Sequence, residues 1–328
     1  MKTCMRAALA LACVALSVAA GPQAARAGSA SPAADTLARQ VGPHRFPGAA
    51  GLPSPFLSTY LRSSTGVALT QGMEVKLYSF DEPPRLLASR QADLSYLTQE
   101  FEFQQRVSDA VAVRLALSGT GRLGTETAAL LTEGVSVIMS WAAGSTFRLS
   151  ERPGFRLSGS LDVSGNSLTV ISPRTFVEDV LANGLSDTTN SLAESASNAH
   201  VTTGLRAAWG RSATNGFMLF GDLGLRDPYD QGESTKADWL AGGAWSLDMR
   251  ERWRPDLGFL FSATFRSSTS RNEDLGGGGW TTGLGVFYTG RPELTAGVQT
   301  AYTRLKQTDV DNEFGAFGLQ FVLRYDFE

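Results

Sequence analysis

Residues 317–327 have the sequence FGLQFVLRYDF, in which large apolar side chains alternate with small or polar ones. Successive side chains of a β-strand point to opposite faces, so this segment predicts a ribbon with one apolar, aromatic face. The other face is mostly polar and carries Arg324 and Asp326. The end of the chain therefore predicts a strand that lies between an apolar environment and a wet one.

The beginning of the chain has the features of an export signal. Lys2 and Arg6 precede an apolar run over residues 7–20, and Ala25-Arg26-Ala27 fits a small-residue processing site. The run is shorter than the roughly 20 residues that a membrane-spanning helix needs. We therefore predict a signal peptide over residues 1–27, with cleavage near Ala27. Both cysteines of the chain fall inside this segment, so no disulfide and no thiolate site are expected in the mature protein.

The alternating pattern of the last strand recurs along the chain from residue 66 onward. It predicts about twelve strands, with fourteen as the alternative, and each is long enough for the roughly 9–11 residues of a tilted spanning strand. No apolar run after the signal is long enough for a membrane helix, although 42% of the 328 residues are hydrophobic. The net charge of −3 argues against a nucleic-acid partner.

The connections between the predicted strands alternate in length. Short connections are predicted at 107–109, 150–153, 250–255 and 289–292, and longer polar ones at 226–236, 267–277 and 306–313. Membrane barrels have short turns at the periplasmic end and longer loops at the outer end. The alternation therefore favours a spanning barrel over a soluble sandwich, which has no reason to follow it.

The export signal, the repeated alternating strands and a closing strand that ends in aromatic residues together resemble the Gram-negative outer-membrane β-barrel family. One departure is Glu328, which follows Phe327 where the family usually ends on the aromatic residue. The resemblance implies an all-β fold, an antiparallel up-and-down transmembrane barrel in the cell outer membrane. It also implies contact with outer-membrane lipid and insertion by the barrel-assembly machinery through the C-terminal strand.

The domain organisation follows from composition. Residues 28–64 begin with a stretch rich in Ala, Gly, Pro and Ser and are predicted to be a flexible periplasmic leader, with the barrel over residues 65–328. Residues 121–133 and 173–198 are long outer segments that are predicted to contain short helical turns. The second of them is either a constriction loop in the barrel mouth or a mobile surface loop.

Charged residues on the polar phase of the strands are the candidate pore lining, because a charge that faces hydrocarbon costs roughly 2–4 kcal/mol near the bilayer midplane. The predicted pore-lining residues are Lys76, Glu100, Glu102, Arg114, Arg148, Arg156, Arg206, Asp222, Arg266 and Arg324. Four of them, Arg114, Arg148, Arg156 and Arg206, are predicted to form a basic strip. The predicted lipid-interface aromatic residues are Trp141, Trp209, Trp239, Trp245, Trp280, Tyr325 and Phe327.

Three functions fit this pattern. The first is a passive channel or transporter for small polar solutes. The second is a structural or surface-interaction barrel with a blocked lumen. The third is a lipid hydrolase in which His200 pairs with a nearby serine such as Ser195 or Ser197, although the sequence has no nucleophile-elbow, zinc-helix or P-loop motif. No cofactor, no metal site and no catalytic residue are predicted for the favoured channel.

Overall fold

The computed structural model describes residues 39–71, 73–78, 86–92, 94–124, 135–171, 193–226, 236–250, 256–268, 278–306 and 313–327. These ranges contain sixteen strands. They are β1 (Gln40–Val41), β2 (His44–Arg45), β3 (Tyr60–Gln71), β4 (Met73–Tyr78), β5 (Leu86–Ala92), β6 (Leu94–Arg106), β7 (Val111–Gly124), β8 (Val135–Arg152), β9 (Phe155–Ile171), β10 (Ala193–Gly210), β11 (Asn215–Arg226), β12 (Lys236–Asp248), β13 (Leu257–Ser268), β14 (Gly279–Tyr288), β15 (Leu294–Lys306) and β16 (Glu313–Asp326).

Twelve of these strands form one closed antiparallel barrel. Chain neighbours pair around the ring from β6 to β16, and β3 closes it by pairing with both β16 and β6. The two remaining pairs, β1–β2 and β4–β5, are separate hairpins. The predicted fold, an antiparallel up-and-down barrel of twelve strands, is confirmed.

The predicted helical turns do not occur in the described parts of their segments. Residues 121–124 end strand β7 and residues 193–198 begin strand β10, while the rest of both segments lies outside the described residues. Within the described ranges, no helix is long and apolar enough to cross a membrane.

The two faces of the strands differ sharply in side-chain type and exposure. Leu117 and Leu223 are 62% and 66% exposed on the outside of the barrel, whereas Ser158 and Ser246 on the inner phase are fully buried. The tryptophans Trp141, Trp209, Trp239 and Trp245 and the terminal Tyr325 and Phe327 are exposed on the outer face, and Trp280 is half-exposed. An apolar exterior around a polar interior is what the alternation predicts.

The connections follow the predicted alternation with one exception. The four connections between β6 and β7, β8 and β9, β10 and β11, and β14 and β15 are two to five residues long and lie at the barrel end where β3 begins and β16 ends. The β12–β13 connection at that end has eight residues, more than the six between β15 and β16 at the other end, where the remaining longer connections lie. We call these the turn end and the loop end.

The segment before the barrel differs from the flexible leader that composition predicts over residues 28–64. Residues 39–59, which we call the N-terminal plug, pack against inward-facing side chains near the turn end, and β3 starts at Tyr60. Phe46 and Phe56 of the plug are 2% and 3% exposed. The physical reason is that these rings find apolar partners inside the barrel, which local composition does not reveal.

Candidate functional site

The N-terminal plug is anchored to the rim of the barrel by Arg39. Its Nε lies 2.9 Å from the carboxylate of Asp326 at the end of β16. The same guanidinium donates to the hydroxyl of Thr295 at 2.6 Å and to the carbonyl of Pro292 at 3.1 Å. Arg39 and Asp326 are both buried, so this is a charge-assisted contact shielded from water. It connects the start of the plug to the last strand of the barrel.

The β1–β2 hairpin of the plug lies against the other side of the rim through His44. Its Nδ1 is 3.0 Å from the carbonyl of Ala213, and its Nε2 is 3.0 Å from the hydroxyl of Ser246. A carbonyl only accepts, so Nδ1 carries the proton and Nε2 accepts from Ser246. The wall leaves room for the hairpin at two glycines, because a β-carbon on Gly210 would overlap the carbonyl of Val41 and one on Gly216 would overlap the His44 ring.

The protonation of His44 is expected to control how tightly the hairpin docks. Burial lowers the pKa of His44, while the Ala213 carbonyl and Asp248 act in the opposite direction and Arg250 acts with burial. The docked plug therefore favours the neutral ring. As pH falls through the ordinary histidine pKa of about 6.5 towards the lowered pKa of the docked state, protonation favours the undocked hairpin.

This pH dependence can be measured with a spin label at the tip of the hairpin, introduced as Pro43→Cys in a chain whose signal segment has been removed. The label should be immobile at pH 7.5 and more mobile near pH 5 in electron paramagnetic resonance spectra. His44→Gln should remove the difference because glutamine does not titrate. Equal pH dependence in the two chains would assign the effect to another group.

An apolar cluster fills the lumen above the rim. Phe46, Ala49, Ala50 and Phe56 of the plug are buried in it. The barrel contributes the inward-facing side chains of Ala208, Met218, Ala244, Leu260, Phe287 and Val322. These residues occupy the phase that is polar elsewhere in the strands, so they form an apolar band on the inner wall at the height of the plug. At this level the plug packs against inward-facing side chains of six barrel strands.

A charged network lies directly above the plug, on one side of the wall. This mid-barrel network consists of Tyr60, Arg62, Glu100, Glu102, Arg114, Asp162 and Arg206. Arg62 lies 2.8 Å from Glu100 and 2.9 Å from Glu102, and it also donates to the Ala49 carbonyl of the plug at 2.6 Å. Tyr60 donates to Glu102. The network therefore connects the wall to the plug.

The other side of the network runs from Arg114 to Arg206. Arg114 lies 2.7 Å from Asp162 and 3.4 Å from Glu102, and Arg206 lies 3.6 Å from Asp162. Arg206 also donates to the Ser54 carbonyl of the plug at 3.3 Å. Paired charges of this kind neutralise one another, so these side chains do not present a free cationic surface to a solute.

The predicted basic strip is therefore divided into two separate groups. Arg114 and Arg206 belong to the mid-barrel network, whereas Arg148 and Arg156 both pair with Glu151 near the turn end. Arg148 is 2.7 Å from that carboxylate, and Arg156 also lies over the ring of Phe56 in the plug. The strip was predicted from strand phase alone, which places residues on the inner wall but carries no information about their partners.

The remaining predicted pore-lining residues have different environments. Glu100, Glu102, Asp222, Arg266 and Arg324 lie on inner phases of barrel strands. Arg324 is buried against the ring of Tyr60 and pairs with Asp326 at 2.7 Å. Lys76 lies on β4, in the hairpin outside the closed barrel, so it does not line the barrel wall. It was predicted from an alternation that this extra hairpin shares with the true barrel strands.

A second polar group lies towards the loop end, on four successive strands. This outer lumen cluster consists of Asn198 and His200 on β10, Arg226 on β11, Asp238 on β12 and Arg266 on β13. The carboxylate of Asp238 lies 3.1 Å from His200 Nε2 and 2.9 Å from Arg226 Nη2. Its members are partly exposed, apart from Asn198, so the lumen is wet here.

His200 has no serine partner in the described residues. Its ring nitrogens approach Asp238 and, at 3.4 Å, the hydroxyl of Thr202. Ser197 is exposed on the opposite face of β10, because residues three apart on a strand point in opposite directions. The Ser197–His200 pairing considered for a hydrolase is therefore wrong, and the side chain of Ser195 lies outside the described residues.

Several important residues were missed by the sequence analysis. Arg39, His44 and Arg62 fell within the supposed leader. A signal for the plug was nevertheless present, since Met218 and Leu260 place large apolar side chains on an otherwise polar phase. Such side chains on the inner wall need an apolar partner inside the barrel.

Comparisons with known proteins find similarity only at the level of solved structures. No family model and no curated protein matches the chain. An outer membrane channel from Pseudomonas putida F1 is similar at 13% identity and TM-score 0.48, over 88% of this chain and 100% of that one. The β domain of the Bordetella autotransporter Brka gives 10% identity and TM-score 0.47, over 82% and 100%. The transport unit of the Escherichia coli autotransporter AIDA-I gives 10% identity and TM-score 0.46, over 90% and 97%.

Proposed function

We propose that this protein is an outer-membrane channel for small polar solutes that is closed near its periplasmic end by its own N-terminal plug. The observation that carries the proposal is the plug itself, which fills the lumen of a closed barrel while the lumen above it is polar and partly exposed. A channel of this kind conducts when the plug moves out of the lumen.

The proposed location is supported by the exterior of the barrel. Large apolar side chains, among them Leu117, Leu223 and Phe321, are 62%, 66% and 52% exposed. An exposed apolar surface that encircles a barrel is stable in lipid and prone to aggregation in water. With the predicted export signal and closing strand β16, this surface supports insertion into the outer membrane by the barrel-assembly machinery.

The contacts of the plug support a removable gate. Most of its polar contacts join side chains to backbone carbonyls, as in Arg62 to Ala49, Arg206 to Ser54 and Arg45 to Thr289. These groups can be satisfied by water once the plug has left. The plug is also joined covalently to the barrel only at Tyr60, so it can move out of the lumen without disrupting a barrel strand.

The second candidate is a surface-interaction barrel whose lumen stays blocked. The buried apolar cluster between plug and wall favours it, because exposing that cluster to water is unfavourable. In this case the loop end would be the working part of the molecule, and the plug would be a permanent piece of the core.

A single cysteine in the plug distinguishes the two candidates. Ala50 is 3% exposed, and its backbone bonds the side chain of Gln299 in both directions, at 3.2 Å and 3.1 Å. In the mature chain with Ala50→Cys, a charged water-soluble thiol reagent should react slowly, at the rate of plug release. We expect each modification to prevent reseating and to raise the single-channel conductance in planar bilayers lastingly.

The matched control is Ser108→Cys in an exposed turn at the same end of the barrel. It should react quickly and leave the conductance unchanged. If the cysteine at position 50 is fully modified and the conductance stays at its starting value, the channel proposal fails and the blocked barrel is favoured.

A further inference from the structure

The outer lumen cluster combines features that the proposed channel does not need for closure. It lies beyond the mid-barrel network, on the side of the lumen away from the plug, and its contacts described above do not involve residues 39–59. Two of its side chains, His200 and Arg226, contact the carboxylate of Asp238. Its role is therefore separate from holding the lumen shut.

The arrangement of this cluster depends on a glycine in the wall. Gly224 lies between β10 and β12, and a β-carbon there would overlap both the Nε2 of His200 and the Oδ1 of Asp238. Only glycine therefore lets the imidazole and the carboxylate meet across β11. The His200–Asp238 contact at 3.1 Å holds the ring in place and occupies one carboxylate oxygen.

The charges of the cluster favour an anion. Arg226 donates to the other oxygen of Asp238 at 2.9 Å. Arg266 lies on the inner face of β13, one strand from Asp238 and two strands from Arg226, and it makes no ion pair within the described residues. Two guanidinium groups and one carboxylate on neighbouring strands leave a positive excess. A guanidinium offers a planar set of donors that matches a carboxylate.

An unpartnered amide completes the site. Asn198 lies two residues before His200 on the same face of β10 and is 8% exposed. In the described structure neither its Nδ2 nor its Oδ1 has a hydrogen-bond partner. A buried amide without partners is costly, and a ligand with hydroxyl groups satisfies both its donor and its acceptor.

We propose that the outer lumen cluster is a binding site for small hydroxylated carboxylates, with Arg226 and Arg266 on the carboxylate and Asn198 on a hydroxyl. The proposal rests on the proposed channel, for which it names the class of solute. The ligand enters from the loop end, so binding does not require the plug to move.

The proposal predicts that the detergent-purified mature chain, with its plug in place, binds gluconate in equilibrium dialysis. Sorbitol has the same number of carbons and no carboxylate, and it should bind at least about tenfold more weakly, because charge-assisted hydrogen bonds are lost. The double variant Arg226→Gln, Arg266→Gln should lose about tenfold or more in gluconate affinity. Asn198→Leu should weaken gluconate binding and leave acetate binding unchanged, since acetate has no hydroxyl.

The matched control is Arg304→Gln, which removes an exposed arginine on the outer face of β15 near the same end of the barrel. It should leave gluconate affinity unchanged, and heat-dependent gel mobility should show that every variant is a folded barrel. Absence of gluconate binding, equal binding of sorbitol, or an equal loss in the control would overturn the site. Gluconate binding without conductance after plug release would instead remove the channel and keep the site.

Discussion

Deleting residues 39–56, so that residue 38 is joined to Leu57, should turn the closed barrel into a constantly open one. The deletion removes every buried plug side chain of the apolar cluster, including Val41, and it frees the space that Phe46 and Phe56 occupy. The lumen then continues to the turn end without packed protein across it. We expect single-channel conductance on the order of tenfold above that of the full mature chain, since a water-filled path replaces packed protein.

The inner wall sets a limit on this increase. Met218, Leu260 and Phe287 would line the emptied level of the lumen, and a ring of apolar side chains opposes wetting. The substitutions Met218→Ser and Leu260→Ser in the deleted chain should therefore raise the conductance further. The same pair of substitutions in the full chain should loosen the plug.

A variant that keeps the chain length guards against misfolding of the deletion. Phe46→Glu places a carboxylate in the apolar cluster and should expel the plug, because an unpaired buried charge is strongly unfavourable. Both variants are compared by heat-dependent gel mobility, which reports the folded barrel. Folded barrels that conduct no better than the full chain would show that the plug is not the barrier.

Replacing Arg62 by methionine should destabilise the barrel by about 3–5 kcal/mol, as expected when one partner of a buried ion pair is removed. The side chains of Arg62 and Glu102 are 5% and 4% exposed. The substitution leaves the carboxylate of Glu102 with Arg114 at 3.4 Å and Tyr60, and it leaves the Ala49 carbonyl of the plug without its donor. Urea unfolding in lipid vesicles, followed by tryptophan emission, measures the loss.

The double variant Arg62→Met, Glu102→Leu should recover much of the lost free energy of unfolding, because it removes the uncompensated charge and fills the space with apolar groups. Arg148→Met is the matched control. Its pair with Glu151 is 28% and 39% exposed, so it should cost about 1 kcal/mol or less. Equal losses for Arg62→Met and Arg148→Met would show that the mid-barrel network is solvated rather than buried.

The strand count and the two faces of the wall could be predicted from the sequence because both are local properties. Side chains alternate with a period of two wherever a strand forms, and lipid on one face with water on the other imposes the same alternation on every strand. Phe317 to Phe327 and the earlier strands therefore reveal which side chains face outward. The alternating connection lengths reveal which end of the barrel has the short turns.

Which inward-facing side chains contact one another depends on how the sheet closes into a barrel. Arg39 meets Asp326 across nearly the whole chain, and Arg62 meets Glu102 across a strand pair that includes the closing strand β3. Strand phase places Arg114, Arg206 and Asp162 in the lumen, but the stagger of neighbouring strands decides that they pair. The same stagger brings His200 and Asp238 together over Gly224.

The residue pattern alone predicts a wall of about twelve strands with an apolar outer face and a charged inner face. The position of the plug inside the barrel depends on the tertiary structure, because the plug has no periodic pattern of its own and is held by groups from distant strands and turns. Its composition is that of a flexible leader in water. Inside the barrel, Phe46 and Phe56 are buried in the same apolar cluster as Met218 and Leu260. This burial stabilises the ordered plug, and it depends on residues far along the chain.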